Sequence, residues 1–219
     1  NNSDTTKRRW SNAYLNDRFN MAQEDFTTRT RCLEARYWID TSTNVKEYAI
    51  PSDCLTLSRA AYSIYTSTYG TYTSTMAYKR LTYVTIEGLD HPTIGTPNWE
   101  AADKGNPIKY YIRGSTTIGL HPTPTSPYAG SKRLQLDYII RCSSMSANGD
   151  IPFNGANQLY NYHQILIWYV VALCEYDQGN INNFASCMSI YSALAEFTRK
   201  DILNISDRYG QQIKFGPNE

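Results

Sequence analysis

Three histidines, five cysteines and a few adjacent carboxylates are the residues of this 219-residue chain that could carry chemistry. His91 precedes a proline, His121 is followed by one, and His163 sits within an apolar helical stretch, so the imidazoles share no spacing with each other or with a carboxylate. A zinc site or a general base needs such a partner. Cys32, Cys54, Cys142, Cys174 and Cys187 contain no CxxC pair and are odd in number, which reads as small buried hydrophobes in a reducing compartment rather than as a disulfide or metal framework. Glu24 and Asp25 are neighbours on a helix and point different ways, which is wrong for shared acid–base work. No GxSxG, HExxH, phosphate-loop or GxGxxG pattern is present. The expectation is therefore no catalytic residue, no metal, no cofactor and no enzyme.

Charge adds little, since 21 Lys and Arg against 20 Asp and Glu leave +1. The conspicuous quantity is 19 Tyr beside only 6 Phe. Tyrosine combines apolar area with a polar tip and suits half-buried β surfaces and interfaces. The longest apolar run, Ile165 to Cys174, is too short to span a bilayer, so no membrane association is expected. No signal-peptide pattern opens the chain, so secretion is not expected either.

The elements that position these residues begin after a polar arm at 1–9. From Ser11 to Thr28, Leu15, Phe19, Ala22 and Phe26 recur at helical spacing, with Gln23 and Glu24 off that face. At Cys32 the period drops toward two, and LEARYWID followed by KEYAIP reads as a β-hairpin closing at Pro51. A long alternating stretch with a break at Gly70 predicts two strands, with Tyr65 to Tyr78 projecting as a hairpin or loop. Thr85 caps a short helix at Ile86 to Asp90, and Trp99 anchors the loop after it. Two strands meet across Gly114-Ser115, and Leu134, Leu136, Tyr138 and Ile140 alternate in another strand. From Gly155 to Tyr209 two long helices fold back at Asp177-Gln178-Gly179-Asn180, where a glycine ends the first helix and a polar residue caps the second.

The fold expected is α+β: a helical bundle, made of an N-terminal helix (10–30) and a C-terminal antiparallel helical pair (151–208), with a mainly antiparallel β region (31–150) inserted as part of one compact unit, and a tail at 209–219. The first helix of the pair is apolar nearly all round, and Ile190 and Phe197 lie outside the main stripe of the second, so self-association is favoured.

In this order, TRTRCLE, EYAIPSDCLTLSRAAY, LTYVTIEGLDHP with its following NW, KYYIRGSTTIGLHPTP and LYNYHQILIWYVVALCEYDQGN make the chain resemble the head-to-tail adaptor, or connector, proteins of tailed bacteriophages over roughly residues 10 to 205. Gly88 and the long Ser/Thr/Tyr stretch depart from that pattern. The resemblance implies a structural virion protein assembled in the host cytoplasm and placed in the neck between capsid and tail. It implies a homo-oligomeric ring of twelve subunits that joins the portal protein to a tail or nozzle protein and surrounds the DNA channel. Residues expected for each role are Trp168, Ile190 and Phe197 for subunit contacts, Ile213 and Phe215 for portal docking, and Tyr65, Tyr69, Tyr72 and Tyr78 for the tail side. Arg8, Arg9, Lys104 and Lys132 are expected toward non-specific DNA in the lumen. The alternative is a glycan-binding β module, in which exposed Tyr and Trp stack on sugars.

Overall fold

The computed structural model describes residues 9–64, 77–90, 99, 103–147 and 149–212. The chain divides into two compact units, one helical (Asn1–Leu33 with Ile140–Glu219) and one mainly β (Glu34–Ile139).

The helical unit is built from α1 (Asn12–Thr30), two 3-10 turns (Phe153–Gly155 and Asn157–Tyr162) and two further helices numbered after α2 of the β unit (Ile86–Asp90): α3 (His163–Asp177) and α4 (Ile181–Gln212). Ser11 caps α1, its Oγ accepting from Tyr14 N at 3.1 Å, and Arg31 closes the helix in the left-handed region, its N–H on Thr27 O. Gly179, with φ of 79°, turns the chain between α3 and α4. Asn180 Nδ2 donates to Glu175 Oε2 at 2.8 Å and fixes that turn. Phe26, Phe153, Leu166, Val170, Tyr191 and Ala195 form the core. Gln23, read from the sequence as off the packing face, is instead 1% exposed. Its amide donates to Ser143 O at 2.9 Å and accepts from Phe153 N at 3.2 Å, so a polar side chain ties α1 to the segment that leads into α3.

Ten strands in three sheets are present among the described residues. The first sheet runs in the order β1 (Glu34–Thr41), β10 (Gly130–Ile140), β3 (Cys54–Ile64), β4 (Ala77–Arg80). The second runs β2 (Glu47–Ala49), β8 (Thr117–His121), β7 (Lys109–Arg113), β5 (Thr82–Tyr83). The third pairs β6 (Lys104–Gly105) with β9 (Thr123–Pro124). Pairing is antiparallel in β1–β10, β2–β8, β3–β4 and β7–β8, and parallel in β5–β7 and β6–β9.

These sheets overturn the expected architecture of a helical bundle with a β insertion. The β residues make a unit with its own core, in which Tyr62, Ile118, Leu120, Leu134 and Leu136 are fully buried. The mainly β part is too large to be an appendage. Nor do β1 and β2 form the hairpin that their proximity suggests. β1 takes β10 as partner, about a hundred residues away, with Glu34 opposite Ile139, while β2 pairs with β8 in the other sheet. The physical reason lies in β10, whose residues Arg133 to Leu136 are all buried, so that its peptide N–H and C=O groups are cut off from water and need a strand along each edge. The turn after β1 serves a crossing between sheets: Asn44, at φ 63°, donates its N–H to Pro124 O at 2.9 Å, and Tyr48 Oη donates to Val45 O at 2.7 Å.

Within the second sheet Tyr111 lies directly opposite Gly119. A Cβ on Gly119 would stand 2.0 Å from Tyr111 Cζ, so the absent side chain is what lets the ring lie across β8 and donate to Glu47 Oε1 at 2.9 Å. Trp99 packs edge-on against the same ring with centroids 5.4 Å apart, and its Nε1 donates to Asp90 Oδ1 at 2.6 Å. Asp90 ends α2, whose Gly88 N–H is capped by Thr85 Oγ1 at 3.1 Å, as the sequence suggests.

Candidate functional site

Several of the described chemistry-bearing residues are held in packing contacts and ion pairs. His121 Nε2 lies 3.4 Å from Asp103 Oδ2, with its ring edge-on to Trp99, and burial pushes its pKa down despite the carboxylate. His163 packs against Phe153 and Tyr160, and burial depresses it as well. His91 lies outside the described residues. Glu24 pairs with Arg141 at 3.4 Å, whereas Asp25 accepts from Arg29 Nε and from Tyr191 Oη, each at 2.7 Å. All five cysteines are free, and burial raises the thiol pKa of Cys32, Cys142 and Cys174, away from reactive thiolate. Among the described residues no cluster of three or more His, Cys, Asp or Glu could hold a metal, and no helix is long and apolar enough to cross a membrane.

What the helical unit does present is apolar surface. α3 turns Leu166, Val170 and Cys174 inward, while Trp168 stays 38% exposed. On α4, Tyr191, Ala195 and Thr198 face the core, while Ile190 is 40% and Phe197 68% exposed. Trp168 and Phe197 line one open groove of about 280 Å³ between α3 and α4, whose floor includes Ile165, Leu194 and Thr198. Ile190 precedes Phe197 by seven residues, two helical turns back on the same side. Sequence reasoning missed Ile167 and Val171, both exposed on the same outer side of α3. Val171 stands three residues from Trp168 and four from Ile167, a spacing visible in the sequence, but a helix apolar all round gave no means of choosing which stripe faces out.

In the β unit two residues expected in different roles meet. Tyr78 Oη donates to Lys132 O at 2.7 Å, and Lys132 Nζ stands 5.9 Å from the centre of the Trp38 ring. Lys132 has φ 51°, held there by Asp40, whose Oδ1 accepts from Lys132 N at 2.7 Å and from Ser131 Oγ at 3.0 Å. These bonds keep the Asp40 carboxyl below the usual carboxylate range. Lys104 is exposed on β6, in a different sheet from Lys132. Arg9 is exposed in the helical unit and lies within electrostatic reach of Glu175. Arg8, Tyr65, Tyr69, Tyr72, Ile213 and Phe215 lie outside the described residues.

Set beside known proteins, residues 1–213 match the family model described as SU10 adaptor protein, nearly the whole chain. No curated protein matches it.

Proposed function

The chain belongs to the SU10 adaptor protein family, a family of bacteriophage head-to-tail adaptors, and from that premise we propose that it assembles as a ring in the virion neck, joins the portal protein to the tail and encloses the path of the DNA. An adaptor of this kind is a structural protein, and its work is geometric. Each subunit must offer its neighbour two different, complementary faces, because a heterologous contact closes into a ring only when its rotation divides a full turn.

The observation that carries this reading is the exposed apolar side of α3 and α4. Ile167, Trp168, Val171, Ile190 and Phe197 leave in water a set of large side chains that a monomeric domain has no use for. Burying apolar area contributes about 25 cal/mol per Å², so covering several such side chains against a neighbour stabilises assembly. We assign Trp168, Ile190 and Phe197 to subunit contacts in that ring. Twelve subunits, portal docking by Ile213 and Phe215, tail contact by Tyr65, Tyr69, Tyr72 and Tyr78, and a lumen lined by Arg8, Arg9, Lys104 and Lys132 complete the proposal as the family resemblance implies them.

The test is the mass of the purified chain in solution across a concentration series. Wild-type protein assembles into one discrete high-mass species, and Phe197→Glu, which puts a charge on a side chain the fold leaves exposed, raises the assembly midpoint by at least about tenfold, about 1.4 kcal/mol, with unchanged far-ultraviolet circular dichroism. An unchanged midpoint removes Phe197 from the contact.

A further inference from the structure

A strained turn and a sealed imidazole meet at the entry to α3. Phe153, Asn154 and Gly155 follow one another in the left-handed region, at φ 57°, 57° and 71°. Glycine adopts that conformation freely, whereas a bulky side chain resists it, so Phe153 must be held there by its surroundings. Gln23 of α1 accepts from Phe153 N at 3.2 Å, and Asn154 Oδ1 accepts from Ser143 N at 2.6 Å. The fully buried Phe153 ring packs on Phe26, with centroids 5.3 Å apart, and on His163, 5.7 Å away.

His163, the first residue of α3, is the member of this packing that can change its charge. Its ring also meets Tyr160, 5.1 Å away. Nε2 is sealed from solvent and has no hydrogen-bond partner among the described residues. A bare lone pair tolerates that position, but the N–H of an imidazolium there is a charged donor with no acceptor. Two aromatic rings attract a cation, yet they do not replace the hydration that a sealed charged donor gives up. The start of a helix is also the positive end of its dipole, which opposes a further positive charge. The other titratable groups at this junction are Tyr160 and Tyr162, the latter donating to Asp201 of α4 at 2.7 Å, with the Cys32 thiol in electrostatic reach of Tyr162. Burial, with no contribution from these groups, sets the His163 pKa below its ordinary value of 6.5.

We infer that this junction is an acid-sensitive latch, in which neutral His163 holds Phe153 and its left-handed turn against α1 and protonated His163 releases residues 152–165. That segment supplies Asn161, Tyr162, Gln164 and Ile165 to the groove between α3 and α4. The latch therefore governs the face assigned to subunit contacts, a consequence that rests on the ring reading. The sign follows from linkage: a histidine with a depressed folded pKa contributes stability that is present above pH 6.5 and is lost as pH falls through the folded value.

Amide hydrogen exchange of the purified full chain at pH 8 and pH 5, below its assembly midpoint and corrected for free-peptide rates, tests the latch. Wild type loses protection over residues 152–165 by about threefold or more at pH 5, with the amides around Tyr191 unchanged. His163→Phe keeps an aromatic ring, takes no proton and loses less. Nuclear magnetic resonance titration of the wild-type His163 Cε1 proton needs no variant, and its midpoint falls below 6.5. A midpoint at or above that value, equal losses in wild type and His163→Phe, or a loss spread evenly over the helical unit overturns the latch. Assembly is read separately: the wild-type midpoint rises at pH 5 by about threefold or more and that of His163→Phe rises less. Lost protection with unchanged assembly cuts the link to the subunit contact. A chain that stays monomeric at both pH values refutes the ring reading, while exchange and titration still decide the latch.

Discussion

Tyr191 shows how much of a side chain's role the helical period leaves unread. It falls on the apolar stripe of α4 and is fully buried, as the helical period implies, but its hydroxyl also donates to Asp25, which Arg29 holds in place with a bond of 2.7 Å. Burial first, and the carboxylate second, push its pKa above the ordinary value of 10.0. The sign follows from linkage: with the folded pKa raised, the contribution is fully present below pH 10 and is lost as pH rises through the folded value. Thermal melts at pH 8 and pH 11 should show wild type losing more stability on the alkaline side than Tyr191→Phe does; equal losses would remove Tyr191 as a cause. Gln23 makes a related point. A hydrophobicity pattern assigns glutamine to solvent, and only the tertiary placement of Ser143 and Phe153 reveals why this one is buried with its amide satisfied at both ends. His121 and His163 pack against aromatic rings, and the contact of His121 with the distant Trp99 leaves no local trace in the sequence.

At the scale of elements, what was legible depends on how local the cause is. Helical periods, the Gly179 turn and the β7–β8 hairpin across Gly114 are all written within a few residues, and each stands in the structure. The pairing of β1 with β10 is not local. It is decided by the need of a doubly buried strand for neighbours, so the nearer candidate, β2, was chosen in its place, and the β unit was taken for an insertion rather than a body with its own core. Gly119 is an element-level constraint of the same kind, since its meaning appears only when Tyr111 is set opposite. Gly119→Ala must displace that ring from a fully buried position. Overpacking of this sort costs about 1–3 kcal/mol, read as a lower urea midpoint with the slope of the transition unchanged. A midpoint equal to wild type would mean that the two strands part easily and that the close approach has no weight.

At the scale of the whole molecule, the prominent exposed groups among the described residues are those that another protein surface could cover, on the apolar side of α3 and α4. Family membership was legible in the order of short motifs along the chain, none of which is specific alone. Trp168, Ile190 and Phe197, which the sequence suggests for subunit contacts, are exposed; Ile167 and Val171, also exposed, are lost in a helix apolar on every side, and Tyr78 and Lys132, expected in separate roles, are bonded to one another. The most direct measurement is particle imaging of the purified chain, alone and mixed with portal protein. The account predicts closed rings of a single stoichiometry that stack on the portal around an open lumen; a chain that remains monomeric at high concentration and does not bind the portal would contradict it.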